Sequence, residues 1–144
     1  MDTRDHLSSL RCRHAVFTLD GGNGTIAAAR HLTRAFLDEL DPALPTVVTM
    51  DALTLVSELA TNAVRHAPGP CTLYLVYDSS GAGELTIAIS DTSTSPPAPR
   101  VPDLNAGTGG LGWHLIQRLT TQIRIHPVPP WGKTIDTTLN TAVL

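Results

Sequence analysis

Lysine is almost missing from this 144-residue chain: its ten basic residues are all arginine except Lys133. Aromatic side chains make up only 4%, cysteine occurs twice, and no basic run or stripe is present. Each shortage excludes something. Thirteen acidic residues, a net charge of −3 and no clustered basic face argue against direct nucleic-acid binding. Cys12 and Cys71 lie far apart and outside any CxxC, so they read as reduced thiols, buried or half-buried, and not as a metal site or disulfide. Among His6, His14, His31, His66, His114 and His126, no two sit at HxxxH spacing beside a carboxylate, which disfavours zinc. No apolar run approaches the roughly 20 residues a membrane helix requires. The N-terminus also lacks the apolar core of a signal peptide, so no membrane is expected and the cytoplasm is the default address.

What is present suits one domain. Hydrophobic residues make up 42%, and a chain this long buries roughly 68–70% of its unfolded surface. Residues 1–12 are polar and are expected to be a flexible N-terminal segment, with residues 13–144 forming the domain. His14 to Leu19 alternates like a short strand, and Asp20-Gly21-Gly22-Asn23-Gly24 breaks it. Apolar spacings of three and four predict a helix from Thr25 to Leu40, and a second runs from about Val47 to Ala67. Thr72–Tyr77 and Glu84–Ser90 read as a hairpin. Thr92 to Thr108 carries no periodicity and reads as a loop, expected to be mobile without ligand. A third helix follows from about Leu111 to Thr121, then a hairpin of Ile123–His126 and Lys133–Leu139. These elements predict an α+β fold: a two-layer sandwich with helices on one face of a mostly antiparallel, mixed sheet.

Two features carry chemistry. On the second helix, Glu58, Asn62 and His66 are spaced i, i+4, i+8 along one edge, flanked by Arg65. The polar side also holds Asp51, Thr54 and Thr61, with Leu55 as its one large apolar residue. A solvated face is one reading. The other is a site, because the face is poor in the Glu/Lys pairs of ordinary exposed helices. A carboxylate one turn from an amide suits one group that takes a proton and another that helps hold hydrated Mg²⁺. The second feature is Gly107-Thr108-Gly109-Gly110-Leu111-Gly112, which opens the third helix. Glycine inside a helix costs roughly 1 kcal/mol against alanine. Either a loop-to-helix hinge or a backbone cradle for an anion at the helix N-terminus gives it a reason. Trp113 and Trp131 read as core or rim packing, and His114 as an interface residue.

The combination resembles a known family. Val56-Ser57-Glu58-Leu59-Ala60-Thr61-Asn62-Ala63-Val64-Arg65-His66-Ala67, then Ile89-Ser90-Asp91, then the glycine cluster, then Gly132-Lys133-Thr134 are similar, in order and spacing, to the four nucleotide-binding boxes of the gyrase, Hsp90, histidine kinase and MutL ATPase superfamily. Within it the chain looks most like the anti-sigma-factor serine/threonine kinases. The resemblance implies a Bergerat-type ATP-binding fold with ATP and Mg²⁺. It implies Glu58 as general base, Asn62 as the Mg²⁺ ligand and Asp91 as acceptor for the adenine amino group. Arg65 would meet a phosphate and His66 would lie against the nucleoside. Gly107, Thr108, Gly109, Gly110, Leu111 and Gly112 would form the loop around the triphosphate, and Thr134 would place a hydroxyl near the base.

The sequence departs from the family at the D-x-G-x-G box, where Ser93 and Ser95 stand for the glycines. A serine held at positive φ would cost roughly 1–2 kcal/mol, about a tenfold loss of affinity. The implied function is an ATP–Mg²⁺-dependent kinase that phosphorylates a small antagonist protein and sequesters a sigma factor, and such kinases commonly form homodimers. The alternative is a degenerate nucleotide- or protein-binding module that regulates a partner without phosphotransfer.

Overall fold

The computed structural model describes residues 12–66, 69–92, 111–130 and 132–142. Among the described residues, five strands and three helices follow one another as β1 (Cys12–Leu19), α1 (Thr25–Asp38), α2 (Thr46–His66), β2 (Cys71–Asp78), β3 (Glu84–Asp91), α3 (Leu111–Leu119), β4 (Gln122–Pro127) and β5 (Lys133–Asn140). The strands form one sheet in the order β1-β2-β3-β5-β4, and all four pairings are antiparallel. The α+β sandwich expected from the periodicities is the fold, but its described sheet is antiparallel throughout and not mixed, because no described strand runs parallel to its neighbour. Every element lies within two residues of its expected position. Most of residues 1–12 and of the loop after Thr92, together with Ala67 and Trp131, fall outside the described residues.

Strand alternation builds the core. Ala15, Phe17 and Leu19 of β1, Cys71, Leu73 and Leu75 of β2, Leu85, Ile87 and Ile89 of β3, and Ile135 and Leu139 of β5 point to one face. Leu73, Leu75, Leu85 and Ile87 are fully buried there, each contributing on the order of 1.5–3 kcal/mol. Thr137, a polar side chain fully buried in this face, donates its hydroxyl to the Ile87 carbonyl at 2.6 Å. The helices cover this face. Phe36 and Leu37 of α1, Val48, Ala52, Val56, Leu59, Ala60 and Ala63 of α2, and Ile116 of α3 complete the cluster.

Three expectations change. Leu55, assigned to the polar side of α2, is only 1% exposed, because α3 packs against α2 and supplies a second apolar neighbour. Cys12 is exposed on the edge strand, whereas Cys71 is buried. Helix α2, at 21 residues, is long and apolar enough by length and composition to cross a membrane, which a search for unbroken apolar runs misses. Val48, Ala52, Leu53, Leu55, Val56, Leu59, Ala60 and Ala63 of this helix are buried against the sheet and neighbouring helices, while Val47 and Met50 near its start are exposed.

The turn after β1 fixes where α1 begins. Asp20 Oδ1 accepts from the Gly22 N–H at 2.8 Å and from the Thr25 hydroxyl at 3.2 Å, and the Gly22 N–H first, then the Thr25 hydroxyl, holds its carboxyl below its ordinary range. Gly21 has φ +81°, and a Cβ there would collide with the Gly69 carbonyl oxygen of the turn after α2.

Gly21→Ala is expected to cost at least about 1–2 kcal/mol in left-handed backbone strain alone, seen as a lower urea midpoint, whereas at Gly24 a Cβ meets open space and alanine costs a fraction of that. Because a depressed carboxyl pKa adds stability above its unfolded value and loses it as pH falls through the folded one, the deficit of Asp20→Ala should be present at pH 7. It should shrink below the usual carboxylate range in melts across an acid series.

Candidate functional site

Helix α2 runs under the sheet toward the C-terminal end of β3, and its last three turns carry the polar row. Glu58 and Asn62 are half-buried, and Arg65 and His66 are exposed. The row is held by α1: Arg30 donates to the Leu53 carbonyl at 3.2 Å and to the Ser57 hydroxyl at 2.8 Å. Ser57 in turn donates to Leu53, and Thr61 to Ser57. These bonds satisfy the small hydroxyl side chains locally and leave Glu58 and Asn62 outside that ladder.

Asn62 Nδ2 is buried without a hydrogen-bond partner among the described residues. An unpaired buried amide costs about 1–3 kcal/mol, so such groups mark sites completed by something else. Exchanging the amide's N and O would put an oxygen in the same place. One amide oxygen is a sufficient protein ligand for Mg²⁺, which keeps several waters and takes few protein donors. Asn62 therefore fits the role that the resemblance implies.

The first turn of α3 closes the site from the other side. A Cβ at Gly112 would collide with Glu58 Oε2 and lie 3.3 Å from its Cδ. Among the described residues, Gly112 is thus a member of the glycine cluster whose missing side chain makes room for the carboxylate. Leu111 opens α3. Gly107, Thr108, Gly109 and Gly110, and the two serines Ser93 and Ser95, lie outside the described residues.

Asp91 ends β3 on the inner face, opposite Lys133 at the start of β5. The Lys133 ammonium donates to Oδ1 and Oδ2 of Asp91 at 3.1 and 3.0 Å, with the two side chains only 6% and 2% exposed. Cys71 borders the same end of the sheet, and burial first, then the negative charges of Asp91 and Asp20, push its thiol up. The register also moves one expected contact. Thr134 pairs with Ser90 and His126, so alternation turns it to the opposite face from Asp91. Lys133 stands beside the carboxylate instead. Sequence reasoning passed over Lys133 as the partner of Asp91. Its signal was there, in being the one lysine of an arginine-rich chain, directly after a glycine that opens a strand.

The histidine kinase-like ATPase domain family matches residues 23–139. The chain belongs to that family. Membership implies ATP binding, and the matched span holds every site residue named above. The anti-sigma F factor of Pasteuria penetrans is 27% identical over 128 residues, covering 76% of this chain and 78% of that protein. The crystal structure of the RsbU and RsbW domains of Rv1364c from Mycobacterium tuberculosis superposes with a TM-score of 0.64 at 18% identity. That match covers 89% of this chain and spans about a third (32%) of the other. It shows a shared fold.

Removing one partner of a buried ion pair leaves the other uncompensated, at a cost of about 3–5 kcal/mol. Lys133→Met is expected to lose about that much in urea unfolding. The double variant Asp91→Asn/Lys133→Met should lose clearly less than the sum of its single variants.

Proposed function

We propose that this protein is an ATP–Mg²⁺-dependent anti-sigma factor of the kinase type. It would hold a sigma factor inactive and phosphorylate a serine or threonine on a small antagonist protein. The observation that carries the reading is the pairing of Glu58 with the buried, unpartnered amide of Asn62 one turn away, on the helix that faces the glycine-opened first turn of α3. Family membership and the similarity to an anti-sigma F factor support it. A homodimer working in the cytoplasm on protein partners belongs to the same proposal.

In this mechanism Glu58 takes the proton from the attacking hydroxyl as the new O–P bond forms and the bond from the γ-phosphorus to the β–γ bridging oxygen breaks, releasing ADP. Mg²⁺, when bound, neutralises phosphate charge, and Asn62 would hold it. Asp91 accepts from the adenine amino group, and Arg65 meets a phosphate. The helix dipole and free N–H groups at the start of α3 favour the anionic end of the nucleotide. His66, exposed at the end of α2, would lie against the nucleoside.

The decisive comparison measures ATP–Mg²⁺ binding by calorimetry alongside transfer of labelled γ-phosphate to an antagonist. Asn62→Ala should abolish the Mg²⁺-dependent part of binding. Glu58→Ala should bind ATP nearly as wild type while transfer falls about 10²–10⁴-fold. Equal labelling by wild type and Glu58→Ala would remove Glu58 from the chemistry. No heat at millimolar ATP would leave a protein-binding module that regulates by contact, the reading that Ser93 and Ser95 favour.

A further inference from the structure

We infer that Lys133, and not Thr134, is the second base-reading group of the nucleotide site, making its ligand a 6-aminopurine read by an acceptor and a donor side by side. This rests on the ATP reading above and assigns a role to a residue which that reading leaves idle.

Three observations carry it. First, the β3–β5 register sets Lys133 directly across from Asp91 on the inner face, while Thr134 is carried to the other face by strand alternation. A hydroxyl on the far face cannot reach a base that Asp91 touches. Second, the ammonium spans both carboxylate oxygens at 3.1 and 3.0 Å. It therefore stands about one hydrogen-bond length from wherever a base amino group would be accepted. Third, a lysine ammonium has three donors, and among the described residues its acceptors are the two oxygens of Asp91. One N–H is left over on a side chain only 6% exposed, a position where an unused donor is costly.

The edge of adenine offers the complement: an amino donor next to a ring nitrogen, N1, that only accepts. Asp91 takes the amino hydrogen and the spare N–H of Lys133 goes to N1. A purely structural lysine, present to offset the buried charge of Asp91, would be indifferent to what stands at N1.

That difference sets the test. Binding of ATP and of 1-deazaadenosine triphosphate, in which C–H replaces N1, is measured by calorimetry on four proteins: wild type, Thr134→Val, Lys133→Met and the double variant Asp91→Asn/Lys133→Met. The last removes both charges, so it stays available if the single lysine variant fails to fold. Wild type and Thr134→Val are expected to bind ATP about tenfold more tightly than the deaza analogue, the worth of one hydrogen bond to a charged group. In the variants lacking Lys133 the two ligands should bind equally. The inference is overturned if wild type binds ATP without discriminating against the analogue, or if a Lys133-less variant keeps the tenfold ratio. Complete loss of ATP binding by a folded Lys133→Met also overturns it, because one donor accounts for only about tenfold. Absence of ATP binding by wild type sinks the nucleotide reading itself, and this inference with it.

Discussion

Helix α2 is enclosed by the sheet, by α1 and by α3, so only one strip of it is left to carry polar side chains. That enclosure is the constraint on which the site depends. Val56, Leu59, Ala60 and Ala63 are held at 2% exposure or less, and rotating the helix to move Glu58 would pull all of them out of the core. Burial on the order of 0.8 kcal/mol per methylene resists this. The carboxylate and amide are therefore aimed by packing, with their direction set by side chains that take no part in chemistry. The Arg30 bridge to Leu53 and Ser57 ties the same helix to α1, and Gly112 lets α3 approach without displacing the carboxylate.

The second organising contact is the ion pair across β3 and β5. Asp91 and Lys133 join two strands separated in sequence by α3 and β4, so they couple the closure of the sheet to the composition of the site. A buried carboxylate is expensive without a partner, and the lysine supplies one. The pair stands at the end of the inner face, where β3 ends and β5 begins. The same two residues thus hold the strands in register and put a buried charge pair at the end of the inner face.

Much of this was legible in the sequence. The periods of 3.6 and 2 located all three helices and five strands within two residues, because each element buries one continuous face and the pattern of that face is written locally. The i, i+4 spacing of Glu58 and Asn62 was legible for the same reason. Leu55 was misjudged because a helical wheel knows one apolar neighbour, and α2 has a second in α3. Thr134 was misjudged because one position along a strand reverses the face, and local pattern does not say which face meets the site when its flanking residues are lysine and isoleucine.

By itself, then, the sequence determined the elements, their order and the residue types able to hold a nucleotide, since helix and strand periodicity and glycine placement act within a few residues of chain. Only the tertiary structure decided which of these meet. The pairing of Asp91 with Lys133 is set by a register between strands 42 residues apart, and the approach of Gly112 to Glu58 by helix packing across the core. The orphaned amide of Asn62 follows from burial by elements distant in sequence. Hydrogen-bond satisfaction and charge compensation are properties of neighbours in space, and those neighbours exist only after the sheet has closed.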